Sequence, residues 1–178
     1  MLAEHYRPAG RASLPLPLSA RSVGHYVLPP GWHDHYPTPQ TRVKYFVQVF
    51  WGVRGSGQLL LQGQPRTLGP GQVAAYFPGD PHFIQARDEE WEYRWWTMDG
   101  PVALDVARAL GLENWSVRNV GPCPDELFDR LDSLVPEAAP ASEIEASVTA
   151  YRLLLAAAGI ENRKKAPDAG HALVARCV

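Results

Sequence analysis

Residues 25–98 consist of short apolar segments that glycine and proline interrupt at close intervals. The segments read HYVL, VKYFVQVFWGV, GQLLLQGQ, QVAAYF, HFIQA and EWEYRWWTM. Runs of this length between turn residues are typical of antiparallel strands and are too short for a helical bundle. They predict a β-sandwich or barrel. The turn residues Gly55-Ser56-Gly57 predict a tight hairpin between the strands on either side of them.

The last of these segments alternates with a period of two, so each of its faces has its own composition. Aromatic residues occupy one face and more polar residues the other, namely Trp91, Tyr93 and Trp95 against Glu92, Arg94 and Trp96. We expect the aromatic face to point into the barrel. In the segment before Gly55, Val49 and Trp51 share one face and Gln48 and Phe50 the other. Periodicity leaves open which of those two faces points inward.

The 178 residues suit one domain with flanking segments. Residues 1–20 are proline-containing and predict an extended arm, and residues 21–98 form the barrel. Residues 99–165 predict three helices: one ending before Gly111, one beginning after Pro124 and one beginning at Ser142. Glu145 lies three residues after Ser142, which predicts a capping box. Residues 166–178 are expected to be a flexible tail.

The third predicted helix carries apolar residues at the spacing of a coiled-coil seam. The steps alternate between four and three along Ile144, Val148, Tyr151, Leu155 and Ala158. Two interpretations fit this pattern. The seam packs on the chain's own barrel, or it pairs with a second subunit.

The charge balance argues against a direct interaction with nucleic acid or with an anionic membrane surface. Seventeen Lys and Arg oppose nineteen Asp and Glu, for a formal net charge of −2. Cys123 and Cys177 lie far apart and form no C-x-x-C motif, which favours a reducing compartment. The sequence contains no apolar run long enough for a membrane span. We therefore expect a cytoplasmic protein with no membrane partner.

Several motifs in this order resemble the N-terminal sensor domain of AraC-type transcription regulators. They are Val53-Arg54-Gly55-Ser56-Gly57, Leu68-Gly69-Pro70-Gly71, Phe77-Pro78-Gly79-Asp80-Pro81-His82 and the segment from Glu90 to Trp95. The resemblance covers residues 21–100 well and extends more loosely over the helices. It implies a mainly β fold, a cupin-like double-stranded β-helix or jelly roll, followed by C-terminal α-helices. It also implies a small-molecule effector in the barrel, an arm that closes over it, and a homodimer formed through the C-terminal helix.

Full-length members of this family read DNA with helix-turn-helix motifs, and the sequence after Gly159 shows none. We therefore expect contact with DNA only through a helix-turn-helix domain that this chain does not supply. We expect either a sensor domain separated from its DNA-binding half or a stand-alone relative that works with a partner.

Many cupins bind a metal through two histidines and a glutamate of one motif and a histidine of the next. Counting back seven residues from Gly55 reaches Gln48 where that glutamate is expected, and the histidine positions fall near Thr41 and Val43. Neighbouring cations such as Arg42 would repel a metal. We therefore predict no metal, no cofactor and no catalytic residues.

The resemblance also nominates residues that contact the ligand. Trp95 matches a tryptophan that lies against the sugar in sugar-sensing members, Tyr93 stands where those have a histidine, and Arg42 lies within two residues of a sugar-binding arginine. The remaining candidates are polar or aromatic residues near the same turns, namely Trp51, His33, His35 and His82. A hydroxyl-rich molecule such as a sugar suits a pocket with aromatic walls and a few polar groups.

Three classes of function fit these patterns. The first is a ligand-sensing and dimerisation domain of an AraC-type regulator that binds a small polar molecule such as a sugar. The alternative is a metal-dependent cupin enzyme, an isomerase or dioxygenase, that uses His33, His35 and His82. The third is a dimerisation module whose barrel binds nothing.

Overall fold

The computed structural model describes residues 3–8, 14–33, 45–137 and 139–160. Within these residues nine strands and three helices follow one another along the chain. They are β1 (Ala3–Tyr6), β2 (Ser19–Leu28), β3 (Val47–Arg54), β4 (Gly57–Leu61), β5 (Gln64–Leu68), β6 (Gln72–Tyr76), β7 (Ile84–Ala86), β8 (Trp91–Asp99), α1 (Ala103–Ala109), β9 (Arg118–Asn119), α2 (Asp125–Leu134) and α3 (Pro140–Ala157).

The strands form two antiparallel sheets. The larger has the order β1-β2-β8-β3-β6-β9, and the smaller has the order β5-β4-β7. Residues of both sheets, among them Phe50 and Trp91 of the larger and Leu59 of the smaller, share one buried cluster. This two-layered arrangement confirms the mainly β, cupin-like jelly roll with C-terminal helices.

The larger sheet is buried on both faces. A second apolar cluster joins Val49, Trp51 and Trp96 of its outer face to Phe128 of α2 and Leu153 of α3. Side chains alternate across a strand, so β8 divides its residues between the two cores. Trp91, Tyr93 and Trp95 point between the sheets, which confirms the predicted inward aromatic face.

The predicted hairpin at Gly55-Ser56-Gly57 is wrong, because β3 and β4 belong to different sheets. The segment is instead a corner at which the chain passes from the large sheet to the small one. A Cβ atom on Gly57 would lie 2.0 Å from Cε3 of Trp91, so glycine is needed there for close approach. The hairpin itself is one turn later, between β4 and β5, where Gln62 and Gly63 have φ of 48° and 73°.

The three predicted helices are present, although their ends differ in detail. α1 ends at Ala109, and Gly111 takes a positive φ of 75°, as a helix stop requires. α2 begins at Asp125, directly after Pro124. The predicted capping box of the third helix is wrong. α3 begins at Pro140 without a side-chain cap, and the Ser142 hydroxyl donates to Glu137.

A buried guanidinium fastens α2 to the large sheet. Arg94 of β8 is 4% exposed, and it donates to carboxylates of Asp125, Asp129 and Asp132 at 3.2, 2.8 and 2.9 Å. Its carbon Cζ also lies 4.8 Å from the ring centre of Phe128. Burial by itself lowers the pKa of Arg94, but the hydrogen bond and charge of Asp129, helped by Asp132 and Asp125, raise it above the ordinary value. The guanidinium therefore stays charged.

The segments predicted to flank the barrel each contain a short strand that pairs with the large sheet. Within residues 1–20, β1 pairs with β2 as an edge strand, and β2 already begins at Ser19. Within residues 99–165, β9 adds a short strand beside β6. Residues 166–178 lie outside the described residues. None of the described helices is both long and apolar enough to cross a membrane.

We expect Gly57→Ala to lower the free energy of unfolding by about 1–3 kcal/mol, because its methyl group overlaps the fully buried Trp91 ring. Gly69→Ala is the matched control, since the nearest atom to its new Cβ lies at an ordinary 3.5 Å. That variant should change stability by less than about 1 kcal/mol. Urea unfolding measures both, and equal midpoints for the two variants would contradict the corner packing.

Candidate functional site

A cavity of about 560 Å³ lies between the two sheets, beside β1, β2, β3 and β8. Its size falls in the range of small-molecule sites. The floor is built from side chains of the large sheet that point toward the small sheet. The strand register explains why these side chains meet, because residues paired across neighbouring strands point to the same face.

One row of paired residues crosses four strands. Glu4 of β1 pairs with Gly24 of β2, Gly24 with Trp95 of β8, and Trp95 with Phe50 of β3. Gly24 has no side chain, and a Cβ placed on it would lie 2.5 Å from Cε2 of Trp95. The indole therefore occupies the space above Gly24, and it lies in the same row as the carboxylate of Glu4.

A second row runs parallel to the first and is more polar. Tyr6 pairs with Ser22, Ser22 with Thr97, and Thr97 with Gln48. All four residues line the cavity. The hydroxyl groups of Ser22 and Thr97 hydrogen-bond to each other, so each already has one partner.

Aromatic rings form one wall of the cavity. The ring centre of Tyr26 lies 5.7 Å from that of Tyr93 and 5.9 Å from that of Trp95. Edge-on and tilted contacts at this distance are favourable between aromatic rings. Each ring holds the next in place, so the wall is preformed.

Two buried polar atoms at this wall have no hydrogen-bond partner among the described residues. They are Oε1 of Gln48 and Nε1 of Trp95, whose residues are 6% and 5% exposed. Buried polar groups are ordinarily hydrogen-bonded, because leaving one unpaired costs about 1–3 kcal/mol. An amide oxygen accepts and an indole N–H donates. A ligand hydroxyl can therefore satisfy either atom.

Three of the predicted ligand-binding residues line the cavity together, namely His82, Tyr93 and Trp95. The imidazole of His82 packs beside aromatic rings, 5.1 Å from the ring centre of Tyr76 and 6.0 Å from that of Phe50. The inward face of β8 thus contributes two of the three.

Trp51 does not line the cavity, so its assignment as a ligand-binding residue is corrected. It lies on the outer face of β3, where it packs under the helices, and its indole N–H donates to the carbonyl oxygen of Gly121 at 3.1 Å. The other face of β3 points inward and places Gln48 and Phe50 at the cavity.

Of the three remaining candidates, His33 is the one among the described residues. It is exposed and does not line the cavity, and its backbone forms an isolated bridge with Gln85, so its role in binding stays a prediction. Its neighbour Trp32 lines the cavity instead. Arg42 and His35 lie outside the described residues, and their roles stay predictions.

Among the described residues no group of three His, Cys, Asp or Glu is placed to hold a metal ion. His82 and the amide of Gln48 are the groups that a cupin metal set would use at this end of the cavity, and an amide is a poor substitute for a carboxylate ligand. The described donors therefore do not fit a metal centre. Burial raises the pKa of the Cys123 thiol, with Asp125 adding to the effect, which disfavours the reactive thiolate form.

The sequence interpretation did not single out the arm residues or Tyr26. Glu4 and Tyr6 line the cavity because β1 pairs with β2, and their carboxylate and hydroxyl groups hydrogen-bond to each other. The hydroxyl of Tyr26 donates to the same carboxylate. The alternation of β3 offered Gln48 as one of two options. The family resemblance implied an arm over the effector, but nothing in the sequence of residues 1–8 indicated which of its side chains would reach the cavity.

An ion-paired cluster secures the arm at the edge of the cavity. Arg7 donates to the carboxylate of Asp99 at 2.9 Å, and Arg21 reaches the same oxygen at 3.3 Å. The backbone N–H of Arg7 also donates to the carbonyl oxygen of Arg21 at 2.9 Å. The three residues thus link β1, β2 and β8.

Comparisons with known proteins agree with this architecture. A family model described as the AraC-like ligand binding domain matches residues 16–154. No curated protein sequence matches the chain.

Solved structures of cupins are also similar, at low identity. A Cupin 2 conserved barrel domain protein from Salinispora arenicola is 20% identical, with a TM-score of 0.35, over 48% of this chain and 66% of that one. The Cupin_2 domain of an XRE family transcriptional regulator from Enterobacter cloacae is 16% identical, with a TM-score of 0.37, over 53% and 95%. A cupin protein from Bacteroides fragilis is 17% identical, with a TM-score of 0.40, over 48% and 70%.

We expect Arg7→Ala to speed amide hydrogen exchange in β1 by roughly 2- to 5-fold, because a partly exposed ion pair contributes about 0.5–1 kcal/mol to local stability. Exchange followed by mass spectrometry on residues 3–8 measures the effect. Arg66→Ala, on the exposed strand β5, is the control and should leave β1 unchanged. Equal exchange in wild type and Arg7→Ala would show that Asp99 does not hold the arm.

Proposed function

Because the chain belongs to the AraC-like ligand-binding domain family, we propose that it is the ligand-sensing domain of a transcription regulator and binds a small polar molecule between its two sheets. A sugar or a molecule of similar size and hydroxylation is the proposed class of effector. The proposal assigns the reading of DNA to a helix-turn-helix domain outside this fold, and it places the protein in the cytoplasm. It assigns no catalytic step.

The observation that carries the proposal is the pair of unpartnered buried atoms at the aromatic wall, Oε1 of Gln48 and Nε1 of Trp95. A hydroxylated ring supports both features of this site, since its apolar face covers an indole while its hydroxyl groups satisfy the two atoms. The preformed wall favours binding, because little side-chain order has to be gained when the ligand enters.

Transmission of the signal follows from the position of the arm. Glu4 and Tyr6 belong both to the cavity and to the edge strand β1. A ligand that contacts them favours the conformation in which β1 is paired, and it shifts the population by its difference in affinity for the two arm positions. The proposed output is a change in arm position that alters the geometry of a dimer.

We expect Trp95→Ala to weaken binding of the effector at least tenfold, because the variant loses the ring face and the indole donor. Calorimetric titration against a panel of neutral sugars, amino sugars and sugar acids identifies a binder and measures the loss. Trp95→Phe keeps a ring but no donor, so its affinity for the effector should lie between those of wild type and Trp95→Ala. Trp115→Ala is the matched control, since Trp115 is 54% exposed and does not line the cavity.

Binding that is equally tight in wild type and in both Trp95 variants would contradict the assignment of the cavity. Absence of binding across the whole panel, with no shift in melting temperature, would favour a module that only dimerises.

The proposed dimer uses the exposed side of α3. Ile144, Val148 and Tyr151 are 46%, 50% and 43% exposed, so the first part of the predicted seam does not pack on the chain's own barrel. The opposite side of α3 does so, through residues such as Ala150 and Leu153. An exposed apolar stripe at heptad spacing on an already anchored helix is well placed to pair with a second copy of itself.

We expect Val148→Glu to convert the dimer into a monomer at micromolar concentration, because two carboxylates would be buried opposite each other at the seam. Sedimentation velocity measures the mass. Val102→Glu makes the same change at another exposed apolar position, just before α1, and should leave the dimer intact. A wild-type protein that sediments as a monomer, or a Val148→Glu variant that stays dimeric, would contradict this interface.

A further inference from the structure

The charged groups at the cavity are unevenly placed. Among the described lining residues, Glu4 is the acidic one and Arg21 the basic one. Arg21 is engaged elsewhere, since its Nη1 lies 3.3 Å from Asp99 and its Cζ lies 4.8 Å from the ring centre of Phe46. Arg21 shares that carboxylate with Arg7, so its guanidinium is held at Asp99 rather than at Glu4. No cation of the described residues forms an ion pair with the carboxylate of Glu4.

The hydrogen bonds of Glu4 leave it able to accept more. Its two oxygens accept one hydroxyl each, from Tyr6 and Tyr26. A carboxylate offers about four acceptor positions, so two hydroxyl donors do not saturate it. Neutral donors also leave its negative charge uncompensated. Within the part of the chain that the structure describes, a cation is therefore the partner that this carboxylate lacks.

The surroundings of Glu4 are those that suit an organic cation. Tyr26, which donates to the carboxylate, is in ring contact with Tyr93 and Trp95. Trp95 lies in the same cross-strand row, separated from Glu4 by a glycine with no side chain. Faces of Trp and Tyr attract an ammonium group through the negative potential of the ring. A carboxylate beside such rings selects a positively charged nitrogen.

We propose that the effector carries a protonated amine, which Glu4 of the arm and the rings of Tyr26, Tyr93 and Trp95 hold, while hydroxyl groups on its body reach Gln48. This inference rests on the proposed function and narrows the ligand to one class. It makes the arm a part of the binding site, since the acidic group belongs to β1. Seating the amine therefore favours pairing of β1 with β2.

The test measures the binding of two sets of compounds by calorimetric titration on the full chain. Within each set the compounds share a ring and differ in one group. One set is glucosamine, glucose and glucuronate. The other is tyramine, tyrosol and 4-hydroxyphenylacetate. We expect the amine of at least one set to bind tenfold or more tightly than its neutral counterpart and the acid to bind most weakly. This ranking follows because attraction to Glu4 reverses sign with the charge of the ligand.

Glu4→Gln keeps one of the two accepting oxygens and removes the charge, so it should abolish the preference for the amine. Glu126→Gln, at an exposed position of α2, removes an equal charge away from the cavity and should retain the preference.

The inference fails if the neutral compound or the acid binds as tightly as the amine, or if Glu4→Gln keeps the amine preference. Tight binding of the acid would instead point to a cation such as Arg42 as the partner. In either case, binding that still depends on Trp95 leaves the proposed sensor function standing. If no compound of either set binds, the amine class is overturned, and the sugar panel then decides the function separately.

Discussion

The structure depends on a strand that is buried on both of its faces. β8 lies inside the large sheet between β2 and β3, so its backbone is paired on both sides. Trp91, Tyr93 and Trp95 face the small sheet, whereas Trp96 and Met98 face the helices. Because side chains alternate, one strand supplies both the wall of the cavity and the contact surface of the helices. A slip of one residue in its register would exchange the two cores.

The outer face of the large sheet packs against the helices and makes the floor of the cavity rigid. The position of β1 at the edge of that sheet leaves the arm able to respond to a ligand. Arg94 reaches three aspartates of α2 from the middle of β8, so the sheet and the helix hold each other in place. β1, by contrast, pairs only with β2 among the described strands, and Arg7 adds an ion pair near its end. Elements with few contacts open at low free energy. The fold therefore combines a fixed aromatic wall with an edge strand that a ligand can stabilise.

Much of this architecture could be predicted from local patterns. The period-two alternation correctly placed Tyr93 and Trp95 inward, and the helix starts and stops were close, since both depend on neighbouring residues. Trp51 was placed on the wrong side because β3 carries large apolar residues on both faces, and a sheet covered on both sides gives little sequence signal for which side is inside. The turn at Gly55 was wrong because glycine chemistry serves a hairpin and a corner alike, and the pairing partner decides between them.

The family resemblance implied an arm over the effector, but the position of Glu4 could not be predicted, because Glu4 meets Gly24 and Trp95 only through strand pairing between distant parts of the chain. Local propensity carries no information about such pairing. The uneven charge at the cavity therefore became visible only with the fold. The polar pair at Gln48 and Trp95 was likewise hidden, since it depends on which face of β3 is inward.

We propose that the effector binds in the space between β1 and the aromatic wall of β8, with its amine at Glu4. A crystal structure of the full chain with the tightest-binding amine tests this placement directly. We expect density for the compound between Glu4 and Trp95, its nitrogen within 3.2 Å of a Glu4 oxygen, with β1 paired to β2. Density at another surface, or density in the cavity with the nitrogen turned away from Glu4, would contradict it.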